Sequence, residues 1–219
     1  LEIDVTPALP APVAPWSPRD ALPLATDRVA ISRTDPNGAP FGPVPCREVE
    51  RLHLEAIASA ESLIYIETQY FSSRAVGEAL VARLADVARP IELVIVINPH
   101  AESPKEDIAV GLAQAKILGD LSRATEGTPH VFGKFHSLPE CREGEAHRST
   151  YVHSKLMIVD DCFLTLGSAN LTNRSMGLDT ELHASFQGDP RSPLAASIRA
   201  LRIGLVREHA GASLPEEHC

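Results

Sequence analysis

Between Cys46 and Ala60 the apolar residues Val49, Leu52, Ala56, Ile57 and Ala60 recur every three or four positions, which predicts a helix over 46–60. "SLIYIETQYF" (62–71) predicts a strand, and 73–88 a second helix with Val76, Leu80, Leu84 and Val87 along one side. "IELVIVIN" (91–98) is apolar without alternation, the pattern of a strand covered on both faces. A helix over 105–124 and a strand over 130–135, "HVFGKF", follow. The polar run "HSLPECREGEAHRS" (136–149) predicts a loop, with 137–149 placed where it can rim a pocket or simply lie in solvent. Two strands over 151–160 and 162–169 come next, then a helical turn over 172–178 and a strand, "TELHASF", over 180–186. Leu194, Ile198, Leu201 and Leu205 mark a closing helix. Upstream, "RVAIS" from Arg28 is a short strand and "DPNGAPFGPVP" a loop.

Strands that alternate with helices predict an α/β fold, a single domain over 28–219 with a central mixed sheet flanked by helices on both faces. Residues 1–27 contain "PALPAPVAPWSPRDALP" and predict an extended, Pro-rich linker with Trp16 tucked against the domain. No run approaches the roughly 18 apolar residues of a membrane-spanning helix. The chain starts at Leu1 without a basic and apolar leader, which predicts a fragment or a processed chain.

Charge narrows the range of partners. The formal net charge is −9, against a nucleic-acid surface as the main feature, although a local basic pocket is compatible with it. Cys46, Cys141, Cys162 and Cys219 show no CxxC spacing and read as free thiols. The nine histidines form no HExxH or HxxxH pair, so no metal and no cofactor is expected.

The chemistry gathers in "YVHSKLMIVDDCFLTLGSAN" (151–170). The two strands are joined by Asp160 and Asp161, which suits a tight hairpin. Alternation puts His153 and Lys155 on one strand face, about 6–7 Å apart, where they can hold one tetrahedral anion between them. An imidazole can attack phosphorus, or as imidazolium protonate a leaving alkoxide, while an ammonium stabilises the equatorial oxygens. Gly167 permits close backbone approach, and Ser168 and Asn170 offer uncharged donors. Glu181, on a neighbouring strand, can fix the tautomer of His153 and raise its pKa. Blander roles compete: Asp160 as a plain turn residue, Asn170 and Thr172 as caps of the helical turn.

His153, Lys155 and Asp160 in HxKxxxxD, followed by "GSANLTNRSMGLDTEL", resemble the HKD motif of the phospholipase D superfamily. "LIYIETQYF" is similar to the "IYIENQYF" that precedes the second HKD motif of two-motif phospholipases D, with Thr68 in place of Asn. The resemblance implies an enzyme, a phosphodiesterase or phosphatidyltransferase of the phospholipase D or cardiolipin synthase type, working without metal through a phosphohistidine. His153 would be a catalytic histidine and the acid/base, Lys155 and Asn170 would hold phosphate, and Glu181 would orient His153. Ser168 would be a further phosphate contact, Asp160 and Gly167 structural members of the motif, and Gln69 and Tyr70 substrate-adjacent. Phospholipid is the implied substrate, with transient contact at a membrane surface.

Only one HxK occurs in the chain, whereas the resemblance implies two motifs facing each other. The chain is therefore expected to be the C-terminal half of a two-motif enzyme, inactive without an N-terminal HKD half. The alternatives are a homodimeric, nuclease-like phosphodiesterase built from two copies, or a catalytically silent half-domain. His136 and His183, near strand ends, are further candidates for the pocket border.

Overall fold

The computed structural model describes residues 23–37, 44–99, 104–136 and 151–210. In chain order its elements are β1 (Ala30–Asp35), β2 (Cys46–Arg47), α1 (Glu48–Ser59), β3 (Leu63–Thr68), α2 (Arg74–Leu84), β4 (Glu92–Ile97) and α3 (Pro104–Thr125). There follow β5 (Val131–Phe135), β6 (Leu156–Val159), β7 (Phe163–Gly167), α4 (Asn173–Gly177), β8 (Glu181–Gln187) and α5 (Pro193–Ala210). The strands form one sheet in the order β2-β1-β8-β7-β6-β3-β4-β5. β3, β4 and β5 pair in parallel through the crossovers α2 and α3, and every other neighbouring pair is antiparallel. The sheet is thus mixed, with its change of sense at the β3–β6 pair.

Alternation along the central strands divides the core between the two faces. Ile64 and Ile66 of β3 and Leu93, Ile95 and Ile97 of β4 pack under Val49 and Ile57 of α1, Val76, Leu80 and Leu84 of α2, and Leu121 of α3. Tyr65, Val96, Ile158 and Leu164 face the other way, against Leu194 and Ile198 of α5. This accounts for the unbroken apolar run of β4: both of its faces are covered. The expected α-β-α sandwich is what the chain forms. Leu24 packs with the α5 cluster and the Ala25 amide lies 3.4 Å from Ser197 Oγ. Of the predicted linker, residues 1–22 with Trp16 lie outside the described residues, as do 137–149 of the predicted loop, Cys141 and Cys219. Cys46 and Cys162 are free thiols.

Some boundaries differ from the expectation. Val87, expected on the apolar side of the second helix, lies beyond α2 and is exposed. A two-residue strand, β2, pairs with the end of β1 before α1 begins. Thr172 caps α4, its hydroxyl accepting from the Ser175 amide at 3.2 Å. Asn170 takes no part in that cap.

The hairpin turn explains both aspartates. Asp160 and Asp161 each have φ of 53°, the left-handed region that a primed hairpin turn requires and that Asp tolerates better than most residues. The Cys162 amide closes the turn on the Val159 carbonyl at 3.0 Å. Asp160 then accepts from the amides of Glu61 (2.8 Å), Ser62 (2.7 Å) and Leu63 (2.8 Å) and from the Ser62 hydroxyl (2.9 Å), fastening the turn to the start of β3. Asp161 forms a two-point ion pair with Arg202 of α5, at 2.6 and 2.9 Å. The aspartate of the motif is therefore a fastening between the hairpin turn and the start of β3. Asp160→Ala should lower stability by about 2 kcal/mol in urea unfolding, with Asp160→Asn recovering part of that loss. An unchanged unfolding midpoint in both variants would contradict this role.

Candidate active site

The ladder between β6 and β3 ends at the pair Leu156 and Glu67, so residues 151–155 stand outside the sheet and the predicted strand 151–160 begins five residues late. Side chains hold this segment instead. Asn98, at the end of β4, brackets Val152: its Oδ1 accepts from the Val152 amide and its Nδ2 donates to the Val152 carbonyl, both at 2.8 Å. The Ser154 hydroxyl donates to Glu67, and the Lys155 carbonyl accepts from the Gly167 amide at 3.0 Å. A chain that leaves its ladder must satisfy its backbone elsewhere, and here Asn98 does so for Val152.

The departure opens a cleft of about 550 Å³ lined by His153, Lys155, Gly167 and Ser168, with Leu166 and Leu182 as an apolar rim. His153 and Lys155 share this cleft, as expected, although no strand pleat places them there. The His153 ring is exposed. Lys155 Nζ donates to Gln69 Oε1 at 3.0 Å and to the His153 carbonyl at 2.6 Å. Asn170 Nδ2 approaches the same Gln69 oxygen at 3.5 Å, while Asn170 Oδ1 is buried without a partner among the described residues. Gln69 thus joins the two candidate phosphate ligands. Its Nε2 donates to the Tyr151 hydroxyl at 3.3 Å, and that hydroxyl lies 3.3 Å from Tyr70 Oη.

The Gly-Ser-Ala-Asn loop is fastened from below. At Gly167 a Cβ would sit 2.1 Å from the Leu182 carbonyl oxygen and 2.5 Å from His183 Cδ2, so only glycine fits between β7 and β8. The Ala169 amide donates to His183 Nε2 at 3.2 Å, leaving the ring proton on Nδ1, 3.0 Å from Thr165 Oγ1. The Leu171 amide lies 3.3 Å from Thr68 Oγ1. Thr68 is buried and ties this loop to β3. His183 is buried under the loop rather than bordering the cleft. His136 lies elsewhere too: its Nδ1 is 2.7 Å from the Ile97 carbonyl in a second cleft between α3 and β5.

Glu181 is near the loop, but its carboxylate accepts from the Ser168 hydroxyl and makes no bond to His153. Ser168 also accepts from the Leu182 amide at 3.1 Å. Its single hydroxyl hydrogen is therefore directed at Glu181 and not at the cleft. In this state Glu181 orients Ser168, and the expected contact to His153 is not made.

Burial, then the neighbouring His53, push His183 down to about 4, and burial likewise lowers His53. The two rings meet edge to face, 5.2 Å between centroids. A histidine whose folded pKa lies below its unfolded value of about 6.5 stabilises the fold above that pH, and the contribution is lost as pH falls towards about 4. His183 alone should remove about 2 kcal/mol by pH 5 and about 3 kcal/mol by pH 4, and His53 adds in the same direction. Urea unfolding across pH 7 to 4.5 measures this, and a flat profile between pH 7 and 5 would refute it.

Asn98 and Glu67 do not stand out in the sequence as residues of the site. Asn98 left a signal, a polar residue closing an apolar parallel strand at its carboxyl end, where α/β proteins build sites. Glu67 left none beyond being polar within a buried strand.

His153 and Lys155 on the loosened segment thus meet Gln69, just after β3, and Asn170, just after β7, over a mixed eight-stranded α/β sheet. The family described as cardiolipin synthase, PLD-like domain, matches residues 53–199, and the chain belongs to that family, within a superfamily of phosphodiesterases and phosphatidyltransferases. Phospholipase D alpha 4 of Arabidopsis thaliana is 28% identical over 242 residues, covering 84% of this chain and 31% of that protein. Phospholipase D alpha 1 of Nicotiana tabacum is 42% identical over 77 residues, 32% of this chain and 10% of that protein. The chain therefore spans less than a third of these relatives. Among solved structures, phosphatidylserine synthase of Haemophilus influenzae superposes with TM-score 0.54 at 19% identity, over 83% of this chain and 38% of that one. NucT of Helicobacter pylori superposes with TM-score 0.51 at 13% identity, over 83% of this chain and 96% of that one. Nuc of Salmonella typhimurium, a phospholipase D family member, does so with TM-score 0.50 at 19% identity, over 83% and 95%.

Proposed function

We propose that the chain supplies one HKD half of a phospholipase D-type active site that cleaves or exchanges the headgroup of a phospholipid. The observation that carries this reading is the convergence of Lys155 and Asn170 on Gln69 Oε1 beside His153: two donors 3.0 and 3.5 Å from one oxygen are already spaced to grip a phosphate oxygen. Leu166 and Leu182, exposed at the cleft rim, favour an acyl-bearing substrate over a polyanionic strand, in keeping with the net charge of −9.

In this reading the histidine of a second, facing HKD motif attacks phosphorus. A P–N bond forms, the P–O bond to the headgroup alcohol breaks, and His153 gives that alkoxide its proton. His153 then takes a proton from water or from a second alcohol, whose oxygen attacks phosphorus as the P–N bond breaks, freeing the facing histidine and giving phosphatidic acid or an exchanged phospholipid. Lys155 and Asn170 hold the equatorial oxygens while charge builds there. The facing motif belongs to an N-terminal half, as the length of the plant relatives suggests. A second reading, two copies of this chain, is favoured by Nuc and NucT, which the chain matches over almost their whole length.

Full-length protein incubated with phosphatidylcholine or phosphatidylglycerol vesicles should release headgroup, with or without EDTA. No release from either lipid would overturn the reading. Light scattering separates the two sources of the facing motif: a dimer of single-motif chains supports the second, a monomer the first.

A further inference from the structure

We infer that Glu67 is a positioning residue for His153 and Lys155, acting through the hydroxyl of Ser154; the inference rests on the roles proposed for those two residues. Three observations converge on it. Glu67 is only 2% exposed, yet three side chains from separate parts of the fold meet its carboxylate. Tyr65 of β3 donates to Oε1 at 2.7 Å, His209 in the last turn of α5 lies 3.0 Å from the same oxygen, and Ser154 donates to Oε2. Burial pushes this carboxyl up, but the bonds from His209, Ser154 and Tyr65 together outweigh it and hold Glu67 below the usual carboxylate range.

The second observation is where Ser154 stands. It lies between the two residues whose placement matters, on a segment with no ladder of its own. Asn98 holds Val152 and the Gly167 amide holds the Lys155 carbonyl, one on each side. Glu67 grips the residue in between. The third is that packing alone does not call for a carboxylate. The same sheet face carries Tyr65, Val96 and Ile158 against α5, and an apolar residue would fill such space without the cost of desolvating a charge. What a carboxylate adds is a second acceptor oxygen: one engages Tyr65 and His209, and the other engages Ser154. The helix α5 is thereby coupled to the orientation of the reactive segment.

Without the Ser154–Glu67 bond the stretch between the Asn98 and Gly167 attachments is less restrained, and displacements on the order of 1 Å cost roughly a hundredfold in rate. In full-length protein assayed on bis(p-nitrophenyl) phosphate and on phosphatidylcholine vesicles, Ser154→Ala should lower kcat by about 10- to 100-fold. KM should change little, and the thermal midpoint should stay within about 2 °C. Glu67→Gln should lower kcat alone, yet add less than about twofold in a Ser154→Ala background, because the path is already cut. Backbone order parameters of residues 152–155 should fall in Ser154→Ala whether or not the protein turns over substrate. Turnover of Ser154→Ala within about twofold of the parent, fully multiplicative losses in the double variant, or unchanged order parameters would each overturn the inference. If His153→Ala retains activity, it is the proposed function that fails, and the order parameters still decide the role of Glu67.

Discussion

Asparagine in place of His153 is expected to lower turnover of phosphatidylcholine vesicles by about 10³-fold or more while leaving the fold intact. The two halves of that expectation have separate causes. The ring is exposed and makes no hydrogen bond among the described residues, so its loss uncovers no buried donor and leaves no cavity. The proposed acid/base step, by contrast, has no substitute within reach. Ser168 is turned to Glu181, and Lys155 is held by Gln69 and the His153 carbonyl. Kinetics on vesicles beside a thermal melt make the measurement. Activity within tenfold of the parent would remove His153 from the chemistry, and a large fall in melting temperature would show that the residue serves the fold instead.

Alanine at Gly167 should do the opposite, damaging structure first and activity only as a consequence. A methyl group there would stand 2.1 Å from the Leu182 carbonyl and 2.8 Å from His183 Cα, both backbone atoms of the neighbouring strand. Neither can swing aside as a side-chain tip would. Relief requires β7 and β8 to separate at the pair of Gly167 with His183, next to the amide that His183 receives from Ala169. We expect a loss of about 4 kcal/mol or more, above the usual range for an added methylene because the obstacle is backbone. Soluble yield and urea unfolding of Gly167→Ala test this, and a variant within about 1 kcal/mol of the parent would show that the strands part easily.

Much of the architecture was legible because the apolar residues obey one period at a time. The unbroken run of β4 announced a strand covered on both sides, and Val76, Leu80 and Leu84 announced the inner face of α2. The HxKxxxxD spacing and the Gly-Ser-Ala-Asn run point to His153, Lys155, Gly167 and Ser168, which line the cleft. Illegible were the features that depend on distant partners. Nothing local says that the strand after His153 begins only at Leu156, because "YVHSKLMIV" carries no glycine or proline; the segment before it is held instead by Asn98, 54 residues away in sequence. The role expected for Glu181 is chemically sound, but in the structure its carboxylate accepts from Ser168. His183 resembled a pocket residue and is a buried support, which only the pairing of β7 with β8 reveals.

The seam at β3 and β6 also bears on how the protein reaches its native state. Gln69 and Asn98 directly follow strands of the parallel half, whereas Val152 and Lys155 precede β6 and Asn170 follows β7 in the antiparallel half. The bonds that cross between them join residues 54, 86 and 101 positions apart. Contacts of such separation close slowly, since chain entropy must be surrendered before they form. Helices and the local β6–β7 hairpin should therefore return early in refolding, with closure of the cleft trailing them. The bonds across this seam are accordingly a stricter measure of complete folding for this protein than any recovered secondary structure.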